Sequence, residues 1–339
     1  MKPTNYHTYN EIKSQPQAWA GTLDMLTRRK DEWLEFFGTG NFDSIILTGC
    51  GSMYYMPLAA AAVWQELTKL PARALPGSET WLNPALIPAS SRPLLISVSR
   101  SGTTTETVRA TRAFGGKTAT VSCYPEAELP TVGDFNLLVT AGQETSVAQT
   151  RAFSTLYLAT LTLAVFASGR DDLWRELQSL PALAEKLLTR YEPLAQELGT
   201  DLSLDRFYFL GSGLRYGLAC EVNLKMKEMT LTHSEPFHFL EYRHGPKSMI
   251  TPSALVMGLL SDAQREQEEA VLKDMRLLGG RTLSIAESSA DVELASGLSE
   301  ITRSPLYLPV GQLIAFERSV AKGLNPDLPE NLTAVVELA

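Results

Sequence analysis

Short apolar runs alternating with helical stretches predict an α/β chain built on mainly parallel, doubly wound sheets. Three stretches carry that expectation. Ser44-Ile45-Ile46-Leu47 is apolar and ends in Thr48-Gly49-Cys50-Gly51-Ser52, ahead of an alanine-rich helical run. Pro93 to Val98 is a second run of the buried-strand type, and it ends in Ser99-Arg100-Ser101-Gly102-Thr103-Thr104-Thr105. At Arg206 the pattern restarts, with Phe207-Tyr208-Phe209-Leu210-Gly211-Ser212-Gly213 reproducing the strand and glycine turn of Ile45 to Gly51. The chain therefore reads as two tandem three-layer α/β/α units, a repeat of domain size.

Residues 1–40 are expected to form a helical lead-in. Gln15-Pro16-Gln17-Ala18-Trp19 opens a helix towards Arg28, and a second helix carries Trp33, Phe36 and Phe37. Residues 41–168 are the first unit. After its first two strands comes a helix to Phe114, stopped by Gly115-Gly116, then strands at Thr118–Val121 and Phe135–Thr140. Phe153, Tyr157, Leu161 and Val165, at i+4 steps, predict a long helix from Ser146 to Ala167. Residues 169–203 are charged and helical, a connector. Residues 204–339 are the second unit, with strands at Ala254–Leu260, Thr282–Ile285 and Leu306–Leu308 and a last helix from Gln312 to Lys322. Ser261-Asp262-Ala263-Gln264 stands where the hydroxyl-rich turn stands in the first unit.

The 339 residues are 44% hydrophobic, enough for one large or two medium cores. A net charge of −8 and the lack of a basic run argue against nucleic acid as a partner. An acidic chain that binds an anion needs a local device, such as a helix N-terminus. Cys50, Cys123 and Cys220 are scattered and odd in number, giving neither a disulfide framework nor zinc spacing. The first residues contain no apolar stretch of signal-peptide type, and no run is long and apolar enough to span a membrane. A cytoplasmic protein is expected.

Two stretches carry the chemistry. Ser99 to Thr105 follows a buried strand and opens a helix, the place where open α/β sheets put ligands. Hydroxyls and amides at a helix N-terminus favour an anion, and Gly102 allows close backbone approach. Capping alone explains Thr103 or Thr104, but not five hydroxyls in this short loop. The loop lacks the nucleotide P-loop pattern. The second stretch, Cys220 to Pro246, holds three of the four histidines, His233, His238 and His244, with Glu221, Glu228, Glu235 and Glu241. On a helix Glu221, Lys225 and Glu228 share one face. That face is either a solvated row of Glu–Lys pairs or a set of groups poised to move protons. The histidine spacings fit no zinc motif, and His233 and His238 read as packed or hydrogen-bonded residues. Lys227 is expected to face solvent. Arg151 assists an anion or caps a helix, Glu144 orients the site or opens the long helix, and Cys50 reads as a small buried residue.

The duplicated unit with S-x-S-G-x-T resembles the sugar isomerase (SIS) domain family over about residues 40–336. The likeness rests also on Ala141 to Phe153, on Glu221 to Glu228 continuing to Arg243-His244-Gly245-Pro246, and on Lys322-Gly323-Leu324-Asn325-Pro326-Asp327. It is nearest to the isomerase half of glucosamine-6-phosphate synthase and to stand-alone aminosugar-phosphate deaminase/isomerases of the tagatose-6-phosphate ketose/aldose isomerase kind. The resemblance implies that Ser99, Ser101 and Thr104 bind the substrate phosphate, with Ser52 a further contact. It implies that Glu228 moves a proton between C1 and C2, that His244 helps open the sugar ring, and that Glu221 and Lys225 line the sugar. Arg100, Gln149 and Val147 are candidate substrate contacts. It implies neither metal nor redox cofactor, and a homodimer with shared active sites.

Two positions depart from the family pattern. Ala334 stands where the synthase has a Schiff-base lysine, and Gln149 stands where a serine contacts the sugar. The glutaminase half and its cysteine nucleophile are also not expected here. A substrate that brings its own amine forms an imine without an enzyme lysine. The expected activity is therefore deamination with isomerisation of a hexosamine 6-phosphate, releasing ammonia. The alternatives are a fructosamine-phosphate deglycase, a simple ketose/aldose phosphate isomerase, or a sugar-phosphate-binding regulator without catalysis.

Overall fold

A computed structural model describes residues 2–335 of the chain. In chain order the helices are α1 (His7–Lys13), α2 (Gln15–Gly40), α3 (Ser52–Thr68), α4 (Gly77–Leu82), α5 (Thr105–Ala113) and α6 (Arg151–Ala167). They continue with α7 (Asp171–Leu177), α8 (Leu180–Arg190), α9 (Glu192–Thr200), α10 (Leu214–Thr230), α11 (Arg265–Leu277) and α12 (Pro309–Ala321). The strands are β1 (Ser44–Gly49), β2 (Ala72–Pro76), β3 (Pro93–Ser99), β4 (Lys117–Ser122) and β5 (Phe135–Leu138). The others are β6 (Arg206–Leu210), β7 (His233–Phe237), β8 (Ala254–Leu259), β9 (Arg281–Ala286) and β10 (Val292–Glu293).

The strands form two five-stranded sheets, ordered β2-β1-β3-β4-β5 and β10-β9-β8-β6-β7, and every pairing is parallel. The two orders are the same doubly wound topology, with β6 to β10 repeating β1 to β5. The first strand of each set is interior, the second lies on one side of it at the sheet edge, and the third returns on the other. The strand order reverses between β1 and β3, and between β6 and β8, which is where such sheets bind ligands. The glycine turns repeat in detail. Gly51 has φ 57° and ψ −126°, and Gly213 has φ 57° and ψ −131°, both outside the range that other residues adopt readily.

The chain divides into two compact units. Among the described residues one, the first unit, comprises 14–144, 149–181 and 333–335; the other, the second unit, comprises 2–13, 145–148 and 182–332. In the first unit β1 and β3 are covered on both faces and almost wholly buried, as parallel strands require. In the second, Tyr208, Leu210, Phe239, Tyr242, Val256 and Leu272 belong to one core cluster.

Several elements differ from expectation. The two helices expected from Gln15 onwards are one helix, α2, with α1 ahead of it in the lead-in. The helix expected from Ser146 begins at Arg151. The backbone N–H groups of Thr145 and Ser146 donate to Glu11, that of Val147 to the Asp327 carbonyl, and that of Thr150 to Glu144, so they are spent outside a helical ladder. The strand expected at Leu306–Leu308 is a single 3-10 turn, Ser304–Tyr307, running into α12. Pro305 and Pro309 open those turns and have no N–H to give a sheet. The strands β2 and β7 were not expected. Both are edge strands carrying a proline, Pro76 and Pro236, which sequence patterns count against a strand.

Candidate active site

In the first unit the loop between β3 and α5 lies at the strand-order reversal. Ser99 Oγ accepts from the Gly102 N–H at 3.1 Å, and Ser101 Oγ accepts from the Thr103 N–H at 3.2 Å. Thr104 Oγ1 is 3.3 Å from Ser99 Oγ and 3.5 Å from Ser101 Oγ, so three of the expected phosphate-binding hydroxyls form one cluster. Ser52, the first residue of α3, is buried at 4% exposure. Gly102 has φ +70°, and a Cβ there would stand 2.7 Å from the Ala127 Cβ. Gly102→Val is therefore expected to cost about 1–3 kcal/mol of backbone strain and to weaken phosphate binding. Denaturant unfolding and phosphate titration read the two effects, and an unaltered titration would show that the loop shape does not matter.

Arg100 turns inward beneath this loop. Its Nη1 pairs with Glu144 Oε1 at 3.1 Å, with side-chain exposures of 6% and 0%, and its Nη2 donates to the Ala334 carbonyl at 3.2 Å. The other Glu144 oxygen accepts from the N–H groups of Thr150 and Ala152 at 3.2 and 3.1 Å. One carboxylate thus ties the loop to the N-terminus of α6, where an anion is favoured. Arg151 donates to Ser14 Oγ at 2.8 Å and to the Gln143 carbonyl. Gln149 is half-buried, and its Oε1 has no hydrogen-bond partner among the described residues. Glu144→Gln keeps the helix cap but removes the charge facing Arg100. A loss of about 1–3 kcal/mol is expected, measured by chemical denaturation.

In the second unit α10 carries the acid–base row. Glu221 and Lys225 are buried at 0% exposure, so the solvated-face reading is corrected. Lys225 Nζ lies 3.3 Å from Glu221 Oε1 and donates to Glu228 Oε2 at 2.6 Å. Glu228 is the outer end of the row, at 19% side-chain exposure. α10 packs against β6, β7 and α12, and a Cβ on Gly311 of α12 would come 2.3 Å from Val222 Cγ1.

His244 follows a 3-10 turn, Glu241–Arg243, which is pinned by a 2.8 Å ion pair between Arg243 and Asp274 and by buried Tyr242. His244 itself is exposed, as is the adjacent Gly245 with φ +116°. His233 is exposed on β7. His238 is exposed but stacks on Tyr216, with centroids 3.8 Å apart, and the partial desolvation holds its pKa below the usual histidine range. Among the described residues no three metal-type ligands converge. Lys227 is exposed, as expected, whereas Cys50 is only partly buried. Val147 gives its N–H to the Asp327 carbonyl, and the Asp327 carboxylate accepts from His7 N and Thr8 N at 2.9 and 2.8 Å, capping α1.

Sequence reasoning did not find the Glu11 carboxylate, which accepts from Thr145, or a buried cluster of Arg215, Glu268 and Arg303 in the second unit. Nothing in local spacing marks these residues, since their partners are distant in sequence. A groove of about 720 Å³ between α11 and the β9–β10 edge is lined by Glu266, Glu269, Lys273, Arg276 and Asp291, and by none of the expected site residues.

A duplicated parallel α/β fold with a hydroxyl-lined loop at one reversal point defines the class. Residues 203–296 match the SIS domain model. A glutamine--fructose-6-phosphate aminotransferase [isomerizing] from Leifsonia xyli is 30% identical over 96% of this chain and 58% of that protein. The corresponding protein of Methanothermobacter thermautotrophicus is 25% identical over 96% of this chain and 56% of its own length. The chain thus spans somewhat over half the length of these curated relatives. A crystal structure of glucosamine-6-phosphate deaminase from Thermotoga maritima is 26% identical, with a TM-score of 0.77 over 94% of this chain and 99% of that one. Tagatose-6-phosphate ketose/aldose isomerase from Escherichia coli shares the fold, with a TM-score of 0.85 over 97% and 96% of the two chains at 23% identity. Among the described residues, no helix is long and apolar enough to cross a membrane.

Proposed function

We propose that the chain is an aminosugar-phosphate deaminase/isomerase. The observation that carries this reading is Glu228, the partly exposed end of an otherwise buried carboxylate–ammonium–carboxylate row. A carboxylate with one face in solvent and the other on a fixed ammonium is held in place for proton transfer. In this reading Ser99, Ser101, Thr104 and Ser52 hold the 6-phosphate, and His244 passes a proton during ring opening. Glu228 takes the C2 proton of the open-chain hexosamine and returns a proton to C1. The amine at C2 becomes an imine, and water hydrolyses it to a ketose phosphate and ammonia. Glu221 and Lys225 line the sugar, with Arg100, Gln149 and Val147 as further candidate contacts. The likeness to the Thermotoga maritima deaminase supports the substrate class. We place the working form as a cytoplasmic homodimer that shares its sites.

The second reading is aldose–ketose isomerisation without loss of an amine, which uses the same proton shift. Incubation with gluco-, galacto- and fructosamine 6-phosphates and with ketohexose 6-phosphates separates the readings. Ammonia together with a ketose phosphate is the expected result. Interconversion without ammonia favours isomerisation, and binding without turnover on any of them favours a regulator.

A further inference from the structure

The topological repeat gives the second unit its own reversal point, between β6 and β8. A Cβ at Gly49 would meet the Met53 carbonyl at 2.0 Å, and one at Gly211 would meet the Arg215 carbonyl at 2.4 Å, so Arg215 holds in α10 the place of Met53 in α3. The loop Ser261–Gln264, after β8, likewise stands where the first unit has its hydroxyl loop. This second reversal point is full of the chain's own charges. The backbone N–H of Asp262 donates to Glu300 Oε1. Arg215 Nη1 lies 3.4 Å from Glu300 Oε2, and Arg303 Nη2 lies 3.7 Å from Glu300 Oε1. The two arginines are 5% and 1% exposed. Arg215 Nε and Nη1 and Arg303 Nε and Nη2 all lack a partner with hydrogen-bond geometry among the described residues. Behind them Glu268, 2% exposed, accepts from Ser261 N at 2.6 Å and from Ser261 Oγ at 3.1 Å. Arg303 also faces Asp262 at 2.7 Å and Glu287 at 3.8 Å.

A loop amide and the buried Arg215 guanidinium face the Glu300 carboxylate, with Arg303 close by but nearer to Asp262, and amides together with guanidiniums are the donor set that binds a phosphate-sized oxyanion. Arg303 Nη1 donates to the Leu298 carbonyl, whereas the nitrogens nearest Glu300, Arg215 Nη1 and Arg303 Nη2, lack hydrogen-bond geometry to it, so neither guanidinium is fitted to that carboxylate as in a bidentate pair. We propose that the second unit contains an anion site whose resident ligand is Glu300. The occupied site accounts for a chain that takes one phosphate group, in its first unit, instead of two. Removing the Glu300 carboxylate opens the second place to a small oxyanion. The proposal does not depend on which reaction the chain performs; only the stoichiometry of the unaltered protein rests on the phosphate role given to the first loop.

Inorganic phosphate titrated calorimetrically into the full chain tests it. Glu300→Ala is expected to raise the stoichiometry by about one phosphate per chain, and the gain should persist when Ser101→Ala and Thr104→Val are added. Glu300→Gln fills the same space and is expected to gain none. A folded Glu300→Ala protein with no added phosphate site would overturn the proposal. So would a gain that vanishes with the first-loop hydroxyls. If Glu300→Ala folds poorly, its melting temperature in phosphate and in chloride at matched ionic strength is the readout. A phosphate-specific rise is expected, and equal melting in the two salts would overturn the site. Failure of the first-loop variants to lose phosphate would instead count against the proposed function and leave the second site standing.

Discussion

Glu228→Gln is expected to lower turnover of the hexosamine phosphate by roughly 10²–10⁴-fold, the usual range for loss of a general base, while sugar-phosphate binding changes little. The amide keeps the shape of the side chain and offers its carbonyl oxygen to Lys225 Nζ, which now lies 2.6 Å from Glu228 Oε2. The fold is therefore retained, and the hydroxyls proposed to hold the phosphate belong to other elements, so affinity is expected to survive. What is lost is the ability to accept a proton from carbon. Steady-state kinetics with equilibrium binding on the same preparation reads the split. Equal loss of binding and turnover would mean that Glu228 holds substrate and does not move protons.

Lys225→Met is expected to destabilise the protein by about 3–5 kcal/mol, the cost of leaving a buried charge without its counter-ion. Lys225 and Glu221 are both at 0% exposure and 3.3 Å apart, so the methionine leaves the Glu221 carboxylate buried without its ammonium. Adding Glu221→Gln should recover part of the loss, because the unpaired charge is the main cost. Urea denaturation of the single and double variants measures this. A single variant as stable as the unaltered chain would show that the row is not held by charge pairing.

The buried row shows where reading the sequence reached its limit. The i, i+4, i+7 spacing of Glu221, Lys225 and Glu228 placed them correctly on one helix face, because helical geometry is local. Whether that face meets water or protein is not local. It is settled by elements elsewhere in the chain that pack on α10, among them α12, whose Gly311 leaves room for Val222. The hydroxyl loop was legible for the opposite reason: a buried strand, a run of hydroxyls with glycine, and a helix start all fall within one short segment. The prolines misled in both directions. Pro76 and Pro236 hid edge strands, and the apolar residues after Pro305 suggested a strand where the chain makes a turn into α12. Arg100 and Glu144 were candidate site residues from the sequence, but their ion pair, like the contacts of Glu300, was not legible there, since it joins partners brought close by folding.

In the proposed reaction the Glu228 carboxylate on α10 exchanges a proton with the carbons of a sugar phosphate. Proton NMR in D₂O, with hexosamine 6-phosphates and a ketohexose 6-phosphate as substrates, tests it most directly. The unaltered chain should incorporate deuterium at C1 or C2 of at least one of them, and Glu228→Gln should incorporate none. Full retention of both C–H signals by every sugar phosphate that binds, or exchange that persists in Glu228→Gln, would contradict it.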